Sequence, residues 1–260
     1  MLQFSEANAK LEKLYKVEAL QKWLGHSAYD RKVYSLDLLS GWSCPFAHEC
    51  KSKATETGEI SKAGNPRMKI VDGKHTKFRC FSASQEALLP NVYSLRKGNF
   101  DALRGMHIND MIHYLHTDLP ADAGIVRVHV AGDFFNADYM QAWYNVAAMN
   151  PSVLFYGYTK SIRYWQFHVN EYPELDNLVL TASYGGRDDE LISEYGLRST
   201  TVVFSEAEAE ALGLEIDGDD SHAARPDLQN QSFALLIHGT QPKGSEAGKA
   251  LSALKGKGSY

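Results

Sequence analysis

The sequence has few cysteines, no excess of positive charge and no long apolar run, and each shortage excludes a class of protein. Three cysteines among 260 residues is an odd count, which a disulfide framework does not favour. No stretch approaches the roughly 18 consecutive apolar residues that a membrane helix needs. The opening segment MLQFSEANAKLEKLYKVEAL contains acids and lacks an apolar core, so it does not resemble a secretory signal. The expectation is therefore a protein of a reducing cytoplasm, where disulfides are rare. A formal net charge of −5 gives no global attraction to nucleic acid or an anionic membrane, although local patches are compatible with it. The phosphate loop, nucleophile elbow, paired-histidine zinc helix and dinucleotide fingerprint are all missing. Internal repeats, low-complexity tracts and linkers are missing too, so a single domain over 1–260 is expected.

What remains is an ordinary globular composition, 44% hydrophobic and 23% charged. Apolar residues at helical spacing over 5–24 predict an amphipathic helix inside an N-terminal helical extension, 1–30. The body, 31–260, starts with the strand-like run VYSLDLL (33–39), followed by the cysteine loop GWSCPFAHEC (41–50). A polar insertion follows at 51–80, with a hairpin expected to turn at Asp72-Gly73. Two helices are predicted near 84–95 and 98–116. From residue 125 strands alternate with helices: IVRVHVAG, SVLFYGYT, NLVLTASY, TTVVFS and SFALLIHG each precede a helix. Asn136 is a good N-cap, Ser205 and Glu208 suit a capping box, and the last helix falls near 244–255. That makes six strands, apolar throughout rather than alternating, as in a parallel sheet covered on both faces. The predicted fold class is α/β, a partial (β/α)6 barrel with active groups gathered at the strand ends.

Five residues separate Cys44 from Cys50, and 29 separate Cys50 from Cys80. A paired-cysteine loop directly after a first strand suits a soft metal, with Cys80 closing the site from FRCFSAS. Three outcomes stay open on the residues. An iron–sulfur cubane accepts three thiolates and leaves one iron for another ligand. Zinc requires a fourth ligand such as His48 or His75. The third outcome is three inert buried cysteines.

The strings SLDLLSGWSCPFAHEC, HTKFRCFSASQEALLPNV, VHVAGDFFNADYMQAW, FYGYTKS, LTASYGGRDD, DGDDSHA and FALLIHGTQPKGS resemble the gene product eighty-eight family of bacteriophage proteins, over roughly residues 33–260. The resemblance implies a phage origin, and with it a host cytoplasm. In architecture, a cysteine loop after the first strand of a six-unit β/α partial barrel is similar to the radical S-adenosylmethionine enzymes. Their three cysteines hold a [4Fe-4S] cluster whose fourth iron takes the amino-acid end of S-adenosylmethionine. The present sequence departs from their short C-x3-C-x2-C motif in the distance to Cys80. Asp133, after VHVAG, matches the glycine-plus-acid turn that receives the cofactor ammonium there; on its own chemistry it equally suits a turn or cap.

Other strand ends supply Lys160 and Ser183, able to orient a carboxylate or phosphate, and His238 as a polar pocket residue. His129 is expected to be a core histidine. Gly185-Gly186 before Arg187-Asp188 could form an anion nest, and DGDDSHA (217–223) either an acidic surface turn or a hard-cation site. The expected function is therefore a phage [4Fe-4S] protein with metal ligands Cys44, Cys50 and Cys80. Asp133, Lys160, Ser183 and His238 are its candidate cofactor-binding residues, and redox or radical chemistry would act on an unidentified substrate. The alternatives are a non-catalytic, cluster-stabilised sensor or interaction protein, and a zinc-stabilised nucleic-acid-binding module, which the acidic charge disfavours.

Overall fold

The computed structural model describes residues 1–25, 30–62, 64–171 and 173–254. Strand β1 (Ser5–Glu6) is followed by two 3-10 turns, Leu11–Lys16 and Glu18–Leu20, and a single turn of α-helix, α1 (Gln21–Leu24). The long N-terminal helix expected over 5–24 is therefore not present. Val17, β-branched and extended at φ −82°, ψ 112°, interrupts it.

Strand β2 (Lys32–Leu36) leads into the cysteine loop. Strands β3 (Ser52–Ile60) and β4 (Pro66–Asp72) form a separate two-stranded antiparallel ribbon. The expected turn at Asp72-Gly73 instead ends β4. The chain reverses at 61–65, where the Gly64 amide donates to Ser61 O and Gly64 takes φ +79°. A glycine in the left-handed region competes successfully with Asp-Gly as the turn former.

The helices α2 (Phe81–Leu88), α3 (Pro90–Leu103) and α4 (Ile108–Thr117) replace the two predicted at 84–116. Pro90 holds Leu89 extended and starts a new helix, which splits the first segment. The alternating half follows as β5 (Ala123–Val128), α5 (Ala137–Met149), β6 (Leu154–Thr159), α6 (Ile162–Glu171), β7 (Leu178–Ser183), α7 (Asp189–Glu194), β8 (Ser199–Val203), α8 (Glu206–Ala211), α9 (Ser221–Ala224), β9 (Phe233–Leu236) and α10 (Glu246–Leu254). Position 255 of the expected last helix lies outside the described residues. Asn136 caps α5 through the Tyr139 amide, and Ser205 caps α8 through the Glu208 amide, as their spacing predicts.

Strands β2, β5, β6, β7, β8 and β9 lie side by side in chain order, all parallel, and β1 adds antiparallel to β2. The result is a seven-stranded, mostly parallel sheet with β1 and β9 at its edges. It is not a closed barrel. Strand alternation assigns its two faces. Leu36, Val126, Val128 and Phe155 pack with Tyr139, Trp143 and Val146 of α5 and with Phe100 and Leu115 of α3 and α4. Val33, Ile125, Leu154 and Tyr156 pack with Leu11, Leu14 and Leu24 of the N-terminal turns. Every residue of β5 is buried, as expected of a strand covered on both faces.

Candidate functional site

Parallel strands all end on the same side, and the cysteine segments meet there. The loop after β2 is held from below. Ser40 donates its amide (3.0 Å) and hydroxyl (2.7 Å) to the fully buried Glu86 of α2, which also pairs with Arg96 of α3 at 3.2 Å. The Gly41 amide, at φ +68°, donates to Cys44 Sγ at 3.3 Å. Gly132, at φ +98°, passes so close that an added Cβ would sit 2.7 Å from both Leu38 Cβ and Ser43 Oγ. A side chain there would displace the residue preceding Cys44.

The stretch before Cys50 is fixed by the chain beyond β7. His48 and Glu49 donate their amides to Gly185 O, and Arg187 donates to Phe46 O. The Gly185 and Gly186 amides are taken by the Asp189 carboxylate at 2.8 and 2.9 Å. The expected anion nest is thus filled by the chain's own side chain, and its role is to hold the cysteine loop. Cys80 occupies the N-cap position of α2, its amide donating to Ser52 Oγ at 3.4 Å.

The three cysteines are free and half-buried; Cys44 and Cys50 come from the loop between β2 and β3, and Cys80 from the start of α2. Burial raises the pKa of all three. Cys44 is pushed further up by Asp133 and by the charges of Cys80 and Cys50. Cys50 is pushed up to about 11 by burial, against the opposing pull of Lys160. For Cys80, the first-turn amides of Ser82 and Ala83 counter the rise. Each thiol is thus within electrostatic reach of another, in one low-dielectric neighbourhood. As their side chains stand, no group of three or more His, Cys, Asp or Glu among the described residues could hold a metal ion. His48 and His75, considered as a fourth ligand, stack on each other with ring centres 4.4 Å apart.

A cavity of about 530 Å³ opens at these strand ends, and Cys50, Cys80, Lys160, Ser183 and His238 all contribute to its wall. Lys160 Nζ donates to Ser183 Oγ at 2.6 Å and to the Ser183 and Tyr184 carbonyls, tying the ends of β6 and β7 together at the rim. His238 lies against Phe81, ring centres 4.7 Å apart, next to Gly239 at φ +74°. Burial holds the His238 imidazole below its ordinary pKa. Asp133 and Cys44 are not among the residues that line the cavity. The Asp133 carboxylate receives Phe134 N and Thr159 Oγ1, both at 2.7 Å, and Lys160 N at 2.9 Å. These bonds join the ends of β5 and β6, the turn-forming one of the two roles its sequence allows.

Sequence reasoning missed the floor of the cavity. Arg127, on the same face as Ile125, pairs with Asp220, which also accepts from Lys10 Nζ at 2.8 Å and from the hydroxyls of Tyr156 (3.1 Å) and Tyr158 (3.2 Å). Burial works against the charge on Asp220, but Arg127 and Lys10 hold its carboxyl below the ordinary range. The segment 217–223 is therefore neither a surface turn nor a cation site: Asp217 and Asp220 are fully buried, and Asp220 is spent on two cations. The signal was an arginine within the largely apolar strand AGIVRV.

His129 is buried, as expected of a core histidine, but it lies just past β5 at φ +70°. That conformation breaks the strand alternation and turns the ring toward Phe134 and Tyr139, whose hydroxyl lies 3.0 Å from Nε2.

No helix of the described residues is long and apolar enough to cross a membrane. No curated protein and no solved structure matches the chain. The family model described as Gene product 88 matches residues 2–255, nearly the whole length, and the chain belongs to that family of bacteriophage proteins.

Proposed function

We propose that this chain binds a [4Fe-4S] cluster through Cys44, Cys50 and Cys80 at the C-terminal end of its parallel sheet. The observation that carries this reading is that free Cys50 and Cys80, from two separate segments, share the wall of one cavity, with free Cys44 in the same loop as Cys50. Three thiols fit the donor chemistry of an iron–sulfur centre, since thiolates are its normal ligands. Buried thiols whose charges oppose one another are poor anions alone, and a polycationic centre removes that conflict. The Gly41 amide on Cys44 Sγ and the first turn of α2 at Cys80 would temper the charge on sulfur. Loading requires the thiols to turn toward a shared centre, because their present rotamers form no ready site.

The finer reading is that the cluster serves catalysis as in the radical S-adenosylmethionine enzymes. It is supported by the six parallel strands in chain order and by the cysteine loop after the first of them. A bound S-adenosylmethionine would supply a reducible sulfonium. The chain's own residues would shape the cavity, with Lys160 and Ser183 fixing its rim and His238 its far wall. A second reading, a cluster that only staples the loop, the ribbon base and α2 together, is favoured by the positions of Cys50 just before β3 and Cys80 at the start of α2.

Anaerobically purified protein should be brown, absorb near ~400 nm and carry about four irons and four sulfides per chain. Cys80→Ser should lose the iron, and unchanged iron content in that variant would remove Cys80 from the site. Adding S-adenosylmethionine and a reductant to loaded protein should release 5′-deoxyadenosine under the catalytic reading. No release, with an unaltered EPR signal from the reduced cluster, leaves the staple.

A further inference from the structure

The segment between Cys50 and Cys80 is charged opposite to the rest of the chain. Residues 51–79 contain eight Lys and Arg against three Asp and Glu, a net +5 inside a chain whose total is −5. The overall acidity therefore conceals a basic element, and that element is the β3–β4 ribbon with its flanks.

The ribbon's register sorts these residues by face. Lys53 lies opposite Val71, and Thr55 opposite Lys69; the Thr57 hydroxyl donates to Arg67 O at 3.1 Å, which sets Thr57 beside Arg67. Opposed residues share a face, and faces alternate along each strand. The face with Ala54, Ile70 and Met68 turns to the body, where Ala54 is fully buried and α2 packs on both strands. The other face presents Lys53, Arg67 and Lys69, with Val71 among them and the Thr55 and Thr57 hydroxyls donating to Lys69 O and Arg67 O, and no carboxylate occurs on it over 52–57 and 67–72. Glu59 near the tip reaches Arg67 at 3.4 Å, but the two side chains are 68% and 59% exposed. Such a pair exchanges readily for a better anion. Trp42 continues the face at its base, with Lys53 Nζ 4.0 Å from the ring centre. From Glu56 to Ile60, and again at Pro66 and Arg67, every residue is exposed, so the outer half of the ribbon stands clear of the body.

We propose that this ribbon is a docking arm for double-stranded DNA. A two-stranded ribbon fits the major groove of B-form DNA, about 12 Å wide, and lysine and arginine are side chains that contact phosphate oxygens. The acidic remainder of the chain repels the duplex and leaves the arm as the favoured contact. The ribbon springs from the two cysteine segments, so a duplex held on it lies beside the mouth of the cavity. The arm uses no thiol, and its binding does not depend on the cluster.

The test is fluorescence anisotropy of a labelled duplex of about 20 base pairs with the full-length chain. Micromolar binding is expected at low salt. Three phosphate contacts predict roughly a 40-fold loss between 50 and 200 mM salt. R67E/K69E, with unchanged circular dichroism, should weaken binding at least ~10-fold and flatten the salt dependence. K13E/K16E, which reverses exposed lysines outside the ribbon, should stay within about twofold. The proposal is overturned by no binding at 50 mM salt, by equal losses in the two variants, or by preference for single strands or phosphatidylserine vesicles. Because these readouts need no iron, their failure leaves the cluster reading standing, and loss of iron leaves the arm.

Discussion

Asp220 and Arg127, 93 residues apart in the chain, form an ion pair on the floor of the cavity, with the carboxylate fully buried. Asp220 takes the left-handed conformation, φ +64°, to make it, and so brings the loop before α9 under the sheet. Asparagine tolerates that backbone but not the charge on Arg127. Asp220→Asn should therefore cost about 3–5 kcal/mol, the usual consequence of leaving a buried charge without its partner. R127M/D220N should recover most of the loss, because the buried guanidinium is then gone and Lys10, part-exposed, can turn to water. Urea unfolding of the three proteins checks this; a D220N midpoint equal to the parent's would mean that Asp220 is not the counter-ion.

A second expectation concerns pH. Burial, helped by Arg127, pushes the His129 imidazole down to about 3, whereas in the unfolded chain it titrates near ~6.5. Below the unfolded value the unfolded chain binds a proton that the native state refuses. Stability is thus complete above about pH 6.5 and falls as the pH drops toward 3, by up to ~1.4 kcal/mol per unit. His129→Asn, compatible with the positive φ, should remove that slope. The readout is the difference in unfolding free energy between parent and variant at pH 7.5 and 5.0. A pH-independent difference would show that His129 titrates in the fold as it does in the unfolded chain, and overturn its burial as a neutral ring.

These two residues also mark how far the sequence could be read. The six parallel strands were legible because a sheet covered on both faces demands apolar runs such as IVRVHV and FYGYT, whichever helices cover it. The caps at Asn136 and Ser205 were legible because their chemistry is local. The burial of Asp217 and Asp220 was not: DGDDSHA has the composition of a surface turn, and only Arg127 and Lys10, brought from distant segments, make its burial affordable in energy. The N-terminal helix failed similarly, since Leu11, Leu14, Leu20 and Leu24 reach the sheet through short turns that only the packed face selects. For the site, Cys50, Cys80, Lys160, Ser183 and His238 share one cavity because parallel strands put their ends together. Nothing in the sequence separated Asp133, consumed by three internal donors, from that set.

The thiols offer a third expectation, which bears on how the site takes up metal. Without a metal, burial keeps all three protonated; Cys50 is pushed up to about 11 from an ordinary 9.0. That rise lowers the thiolate fraction about a hundredfold at neutral pH. Only the thiolate attacks an alkylating agent. Reduced, chelator-treated protein at pH 8 should therefore take up iodoacetamide slowly while folded, and three equivalents rapidly once unfolded in urea. Mass spectrometry at timed intervals resolves each cysteine. Fast labelling of the folded chain at Cys50 would mean that its thiol ionises as readily as that of a solvated cysteine. The same burial has a consequence for loading. A site whose ligands enter as thiols must release protons when thiolates bind metal, so iron uptake should be driven by raising the pH. Reconstitution at pH 8.5 should therefore exceed that at pH 6.5 in rate and extent. The dependence should steepen with every thiol that ligates, and Cys80→Ser should make it shallower only if Cys80 is among them.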